Sequence, residues 1–315
     1  MGGEPGPDPE PQNMAHVLDL SSFYQTVNAA VISEFDLGKY MPDEAFSIFS
    51  TPGINTDRIP KLINRTAVNA DDSTDLDRQT ETEENIDLSL DAVLKEWQYV
   101  GKDQINRVGP EYAARLGQKI GRAVAEGWSD RLAAILAITA MTNSQTVEFN
   151  DESTNMDDYA TATEDAFAML DTNKVPHIGR YCLAKPSFFR KAAQSLYYGS
   201  SDFRGPAASE MPSRTNSFMA NGVMFISWPS PIFSANTASD TDFESKYRRD
   251  FASDNIQALC WSDQTIGVKI AENLSVTQDW VPHKQSYLVA GRMHFGTAAL
   301  QSDGVYAIVG DANSV

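Results

Sequence analysis

Four histidines and two cysteines are the first places to look for chemistry in this chain. A zinc site needs several such ligands at short, paired spacings. His16, His177, His283 and His294 lie far apart, and His177 with Cys182 forms a pair that lacks further ligands at zinc spacing. Asp71, Ser73, Asp75 and Asp77 alternate like the start of a calcium loop. The sixth position of that loop is Leu76 where the turn needs glycine, and the twelfth is Thr82 where a bidentate glutamate is needed. The segment reads as a solvated acidic loop. Arg292 and His294 alternate along one strand-like stretch, which reads as a polar strip facing solvent or a neighbouring chain. Phosphate-binding, dinucleotide-binding, nucleophile-elbow and HExxH motifs are not found. No catalytic, cofactor-binding or metal residue is nominated, and no cofactor is expected.

The elements that would position any chemistry are more informative. The stretch Tyr287–Ala299 alternates with period two: Tyr287, Val289, Gly291, Met293, Phe295, Thr297 and Ala299 on one face, Leu288, Ala290, Arg292, His294, Gly296 and Ala298 on the other. It predicts a strand of roughly 40 Å, about twice the ordinary length. The strongest helix signal runs from Pro110 to Met141, where Leu116, Ile120, Val124, Trp128, Leu132 and Ile135/Leu136 recur at helical spacing. Pro110 suits a first helical position and Glu111 the first turn. Arg115, Lys119, Arg122, Glu126 and Arg131 fall largely between the apolar positions. This helix would reach about 48 Å. Gly117, Gly121 and Gly127 inside it each cost roughly 1 kcal/mol and imply bending or close packing. Gly117 and Gly121 match a membrane-dimer spacing, but Gln118 and Lys119 between them reject that reading. Strand and helix have similar reach, so the strand is expected to run along the helix.

Residues 51–100 hold two strand-like stretches around the acidic Asp71–Glu84, a long hairpin that cannot bury itself. Residues 14–45 read as a short helix or an extended arm. Further on, 155–171 predicts a helix with Tyr159, Ala162, Ala166, Met169 and Leu170 on one side. Arg180–Ala184 predicts a strand and Pro186 the start of another helix, and Tyr197–Asn216 reads as loop. A turn and strand follow over Asn221–Phe233, and a strand pair or a strand and turn over Ile256–Ile270.

The bulk properties narrow the function. The formal net charge of −18 repels phosphate backbones and anionic lipid surfaces. The longest apolar run, Leu132–Met141, is too short to span a bilayer. Residues 1–12, MGGEPGPDPEPQ, lack the basic start and apolar stretch of a signal peptide and read as a disordered tail. Cys182 and Cys260 lie in apolar contexts and read as reduced, buried thiols of a cytosolic protein.

Four stretches carry a resemblance. EYAARLGQKIGRAVAEGWSDRLAAIL (Glu111–Leu136) resembles the spine helix of tailed-bacteriophage major capsid proteins of the Hong Kong 97 type, as written in short-tailed phages. KVPHIGRYCLAKPSFFRKA (Lys174–Ala192), NGVMFISWPSPIFSAN (Asn221–Asn236) and HKQSYLVAGRMHFGTAALQSDGVYAI (His283–Ile308) resemble later segments of the same proteins, in the same order. The resemblance implies an α+β fold with a disordered tail (1–13), an N-arm (14–45), an E-loop hairpin (46–104) and a peripheral domain with the spine helix (105–174). An axial domain (175–285) and a returning strand with its closing segment (286–315) complete it. It implies a major capsid protein that self-assembles as hexamers and pentamers into an icosahedral virion shell around double-stranded DNA. Assembly would occur in the cytoplasm of a bacterial host, with a scaffolding protein, a portal and a decoration protein as further partners. It implies no enzyme activity, no membrane association and no sequence-specific DNA binding. Some relatives lock the shell with a lysine–asparagine crosslink; Lys61 or Lys95 would be the donor here, but none is expected, because the short-tailed relatives generally lack it. The competing readings are an encapsulin-like nanocompartment shell with protein cargo and, from another class, an acidic cytosolic α+β enzyme.

Overall fold

The computed structural model describes residues 20–34, 41, 43–49, 56–60, 85–101, 103, 105, 110–153, 155–199 and 217–310. These fall into two compact units. The first takes in the described residues of Met1–Asp36, Lys95–Ala125 and Leu274–Met293; the second takes in those of Leu37–Leu94, Glu126–Asn273 and His294–Val315.

The described residues open with helix α1 (Leu20–Glu34), then strands β1 (Ser47–Phe49), β2 (Thr56–Pro60), β3 (Asn85–Ser89) and β4 (Ala92–Gly101). The long helix α2 covers Pro110–Thr142, one residue beyond the span its periodicity predicts. Strand β5 (Thr146–Phe149), helix α3 (Met156–Thr172), strand β6 (Arg180–Ala184) and helix α4 (Pro186–Gly199) follow. After β7 (Ser217–Ala220) and β8 (Val223–Ser227) comes a one-turn helix α5 (Phe251–Asp254). The last strands are β9 (Ile256–Ser262), β10 (Ile266–Val281), β11 (Ser286–Ala299) and β12 (Val305–Gly310).

In the first unit, Phe23, Val27 and Val31 of α1 form one apolar cluster with Leu116 and Ile120 of α2 and Val276 and Val289 of the long strands. Gly117 is where α1 and α2 come closest: an added Cβ would stand 2.5 Å from the Val27 carbonyl oxygen and 2.6 Å from the Ala30 Cβ. Close packing is therefore the use of this glycine. Gly291 of β11 lies against Ile120 in the same way, with 2.7 Å between a hypothetical Cβ and Cγ2.

The second unit is built on a six-stranded sheet in the order β5-β12-β9-β6-β8-β7. Strand β6 pairs parallel to β8 and antiparallel to β9. Every residue of β6, β9 and β12 is buried, as central strands covered on both faces require. Helices α3 and α4 cover the sheet through Tyr159, Ala162, Ala166, Leu170, Phe188, Phe189 and Ala192. Met169, expected on that buried side of α3, is 48% exposed. Leu170, expected on the same side, is fully buried. Trp128 of α2 meets Phe295 of β11 edge to face at 4.5 Å in this unit, so β11 lies against α2 in each unit taken alone.

Strands β10 and β11 are neighbours in a four-stranded sheet, β1-β10-β11-β4. The four residues between them permit only an antiparallel hairpin. The reading of Ile256–Ile270 as a strand pair finds its second strand running on to Val281. The acids and polar residues of AENLSVTQD obscure that extension, because several of them face solvent. Along β11 the alternation holds from Val289 to Phe295, with Val289, Met293 and Phe295 buried and Arg292 exposed; beyond it Gly296, Thr297 and Ala298 are buried in succession.

Candidate assembly site

The hairpin predicted for residues 51–100 is present at its base. Strand β2 pairs antiparallel to β3, with Thr56 opposite Ser89 and Pro60 opposite Asn85. Its acidic tip, including Asp71, Ser73, Asp75, Asp77 and Lys61, lies outside the described residues. Two strands are marginal alone in water, so the base needs anchors, and the second unit supplies them on both limbs.

On the outgoing limb, Asp57 of β2 meets Lys269 of β10, with Oδ2 and Nζ 2.8 Å apart. The lysine side chain is wholly buried and the aspartate side chain is 16% exposed. The angles are not those of a hydrogen bond, so the contact is ionic. A buried ammonium held by one carboxylate makes each charge dependent on the other.

On the return limb, the chain crosses β11 at three consecutive residues. Asp91 N donates to the Phe295 carbonyl at 3.3 Å. The Ser89 carbonyl oxygen lies over Gly296, 1.8 Å from where a Cβ would stand. Thr297 and Asp91 share two donors from the 245–247 turn. Lys246 Nζ donates to Asp91 Oδ2 at 2.6 Å and to the Thr297 carbonyl. The Tyr247 hydroxyl lies 3.1 Å from Asp91 Oδ1 and 3.0 Å from Thr297 Oγ1. Burial, then the Asp91 charge, pushes the Tyr247 phenol far above its ordinary range, so it stays protonated as a donor.

Arg131 of α2 holds the loop just ahead of that turn. Its guanidinium donates to Glu244 Oε2 at 2.7 Å and to the Asp242 carbonyl at 2.8 Å, and lies 5.1 Å from the Phe243 ring centre. Arg131, read among the charged residues that fall largely between the apolar positions, is buried, and Glu244 and the carbonyl satisfy its charge. At the preceding residue, Asp130 accepts from Trp228 Nε1 at 3.1 Å and Ser230 Oγ at 2.7 Å. Burial raises its pKa above 3.8 although both hydrogen bonds oppose the shift.

In the first unit, β4 presents Lys95, Trp97 and Tyr99 outward on alternate residues. Lys284 Nζ stands 3.7 Å from the Tyr99 ring centre, and Trp280 packs on Tyr287 at 4.7 Å. A hollow of about 490 Å³ beside them is lined by Gly101, Asp103, Trp280, Pro282 and Gln285. Tyr and Trp are among the residues enriched at protein contact surfaces.

Among the described residues weighed for chemistry, the two cysteines are brought together and the histidines are not; His16 lies outside the described residues. The His177 side chain is exposed and lies 3.3 Å from Asp171. Cys182 is buried against Cys260. Arg292 is exposed and His294 half-buried. Among the described residues, no group of three or more His, Cys, Asp or Glu side chains is placed to hold a metal ion, and no helix is long and apolar enough to cross a membrane.

This arrangement has the Hong Kong 97-type fold of phage capsid proteins. The chain superposes on the capsid structure of cyanophage P-SCSP1u with a TM-score of 0.65 at 16% identity, covering 85% of this chain and 86% of that one. It superposes on the mature capsid of bacteriophage PhiM1 at 0.61 and 14% identity, covering 87% of each. A virus-like particle from Pyrococcus furiosus matches at 0.54 and 9% identity over 91% of this chain and 99% of that one. No protein-family model and no curated protein matches the sequence.

Proposed function

We propose that the chain is the major capsid protein of a tailed bacteriophage, a structural subunit whose copies form hexamers and pentamers and close into an icosahedral shell around double-stranded DNA. The observation that carries this reading is the fit to two phage capsid structures along most of both chains. The hairpin adds to it: its base is clamped by Lys269, Lys246 and Tyr247, which suits a projecting limb that lies on a neighbouring copy. The domain division is carried with the reading: N-arm 14–45, E-loop 46–104, peripheral domain 105–174, axial domain 175–285 and returning strand 286–315. So are assembly in a bacterial cytoplasm and scaffolding, portal and decoration partners. The role is mechanical, not enzymatic. The net charge of −18 suits a shell that must not cling to its genome.

The second reading is a nanocompartment shell with protein cargo. The full coverage of the Pyrococcus furiosus particle subunit favours it, but the superposition is poorer than on the cyanophage capsid. Negative-stain microscopy and sedimentation of the purified chain test both: closed particles, or free hexamers and pentamers, are expected. A stable monomer at high concentration would overturn both readings. Closed particles that take up a protein and never DNA when made in an infected host favour the second.

A further inference from the structure

Cys182 of β6 and Cys260 of β9 are Cα partners across the antiparallel ladder. Both are fully buried, with their Sγ atoms 3.6 Å apart. The flanking hydrogen bonds define the kind of pair. Asp263 N donates to the Gly179 carbonyl and Lys185 N to the Gln257 carbonyl, each at 2.9 Å. Hydrogen-bonded pairs recur at every second position of such a ladder. The bonded pairs are therefore 179/263, 181/261, 183/259 and 185/257, and Cys182–Cys260 falls between them as a non-hydrogen-bonded pair. Cα atoms in such pairs stand about 4.5 Å apart with side chains close together, inside the roughly 4.4–6.8 Å that disulfides span. Side-chain rotation alone can bring the sulfurs into bonding range.

We propose that this pair is an oxidative modification site: a two-electron oxidant converts the two thiols into one intramolecular disulfide. The staple joins the central strands β6 and β9, and so the β5-β12-β9 half of the sheet to the β6-β8-β7 half. Two S–H bonds break and one S–S bond forms. With an azodicarboxamide as oxidant, two electrons and two protons pass to its N=N bond, which becomes a hydrazine. Burial, and then the neighbouring Cys260, pushes the Cys182 thiol up. Thiolate is therefore scarce at neutral pH, and the reaction quickens in alkali. The inference stands on the subunit fold and does not depend on the capsid reading.

The test treats the reduced full chain with diamide in two arms, folded and during refolding from urea. Each sample is then unfolded, alkylated with N-ethylmaleimide and mapped by mass spectrometry. Both arms are expected to give a chain lighter by two hydrogens, no alkylated cysteine and one peptide joining Cys182 to Cys260. The crosslink closes a loop across a separation of 78 residues, so Tm is expected to rise on the order of 10 °C over the reduced chain. Cys182→Ala and Cys260→Ala, of which either suffices if the other fails to fold, are expected to show no such rise. Two alkylated cysteines in the refolding arm, closure in that arm only, or a disulfide that lowers Tm would each overturn the proposal.

Discussion

The carbonyl oxygen of Ser89 occupies the space in which any side chain at Gly296 would begin, 1.8 Å from the ideal Cβ position. The returning limb of the hairpin thus lies directly on the backbone of β11. Neighbouring contacts, Asp91 to Phe295 and Lys246 to both Asp91 and Thr297, hold it there. Gly296 is the point over which the limb leaves the body.

Gly296→Ala is therefore expected to cost roughly 3 kcal/mol or to prevent folding, because backbone rather than a flexible side chain must give way. Gly101→Ala, where an added methyl meets nothing within 4 Å, is expected to change stability by less than about 0.5 kcal/mol. Urea denaturation of both variants checks the contrast; equal effects would contradict the crossing.

Asp57→Ala leaves the Lys269 ammonium buried without its counter-charge and is expected to cost about 3–5 kcal/mol. Asp57→Leu combined with Lys269→Met removes both charges and is expected to recover most of that loss. If the double variant is no more stable than Asp57→Ala by denaturation, the ion pair does not hold this limb.

Asp91→Ala and Tyr247→Phe remove the two ends of one hydrogen bond. A double-mutant cycle is expected to return a coupling of about 1 kcal/mol. Hydrogen exchange over Asn85–Ser89 is expected to quicken in Asp91→Ala, and additive effects with unchanged exchange would count against the clamp.

Asp130 has a folded-state pKa above its unfolded one, because burial outweighs its two hydrogen bonds. Its ionisation then opposes folding: this contribution is most favourable below pH 3.8 and is lost as pH rises through the raised value. Asp130→Asn keeps an Oδ1 that accepts from Trp228 and Ser230. It is expected to unfold at a higher temperature than the parent at pH 7, by a margin that shrinks as pH falls toward 3.8. Thermal melts across that range decide it.

Replacing residues 61–84 with a two-residue turn is expected to leave the melting temperature within a few degrees of the parent, since the described anchors lie outside that segment. Assembly into closed particles is expected to fail. Normal particles by microscopy would show that the tip is not an assembly element.

The long helix and long strand were legible because single-face burial imposes a strict period, and thirteen to thirty residues repeat it. The short strands β5, β7 and β12 were not assigned, because four to six residues carry too little pattern. The anchors were legible only in part. Lys269 within IGVKI is the visible sign of a buried charge, but its partner Asp57 lies more than two hundred positions away. Gly296 shares its alternate face with Arg292 and His294, which suggested solvent rather than a crossing backbone. Arg131 stands three residues after Trp128 and four before Ile135, on the apolar stripe itself, but the partner that satisfies it there, Glu244, lies in a distant loop.

Each described anchor of the hairpin lies on the body side of Pro60 and Asn85. A foreign peptide grafted between those two residues would leave every one of them unaltered, which makes this the natural insertion point for displaying an epitope or a recruitment tag on the subunit.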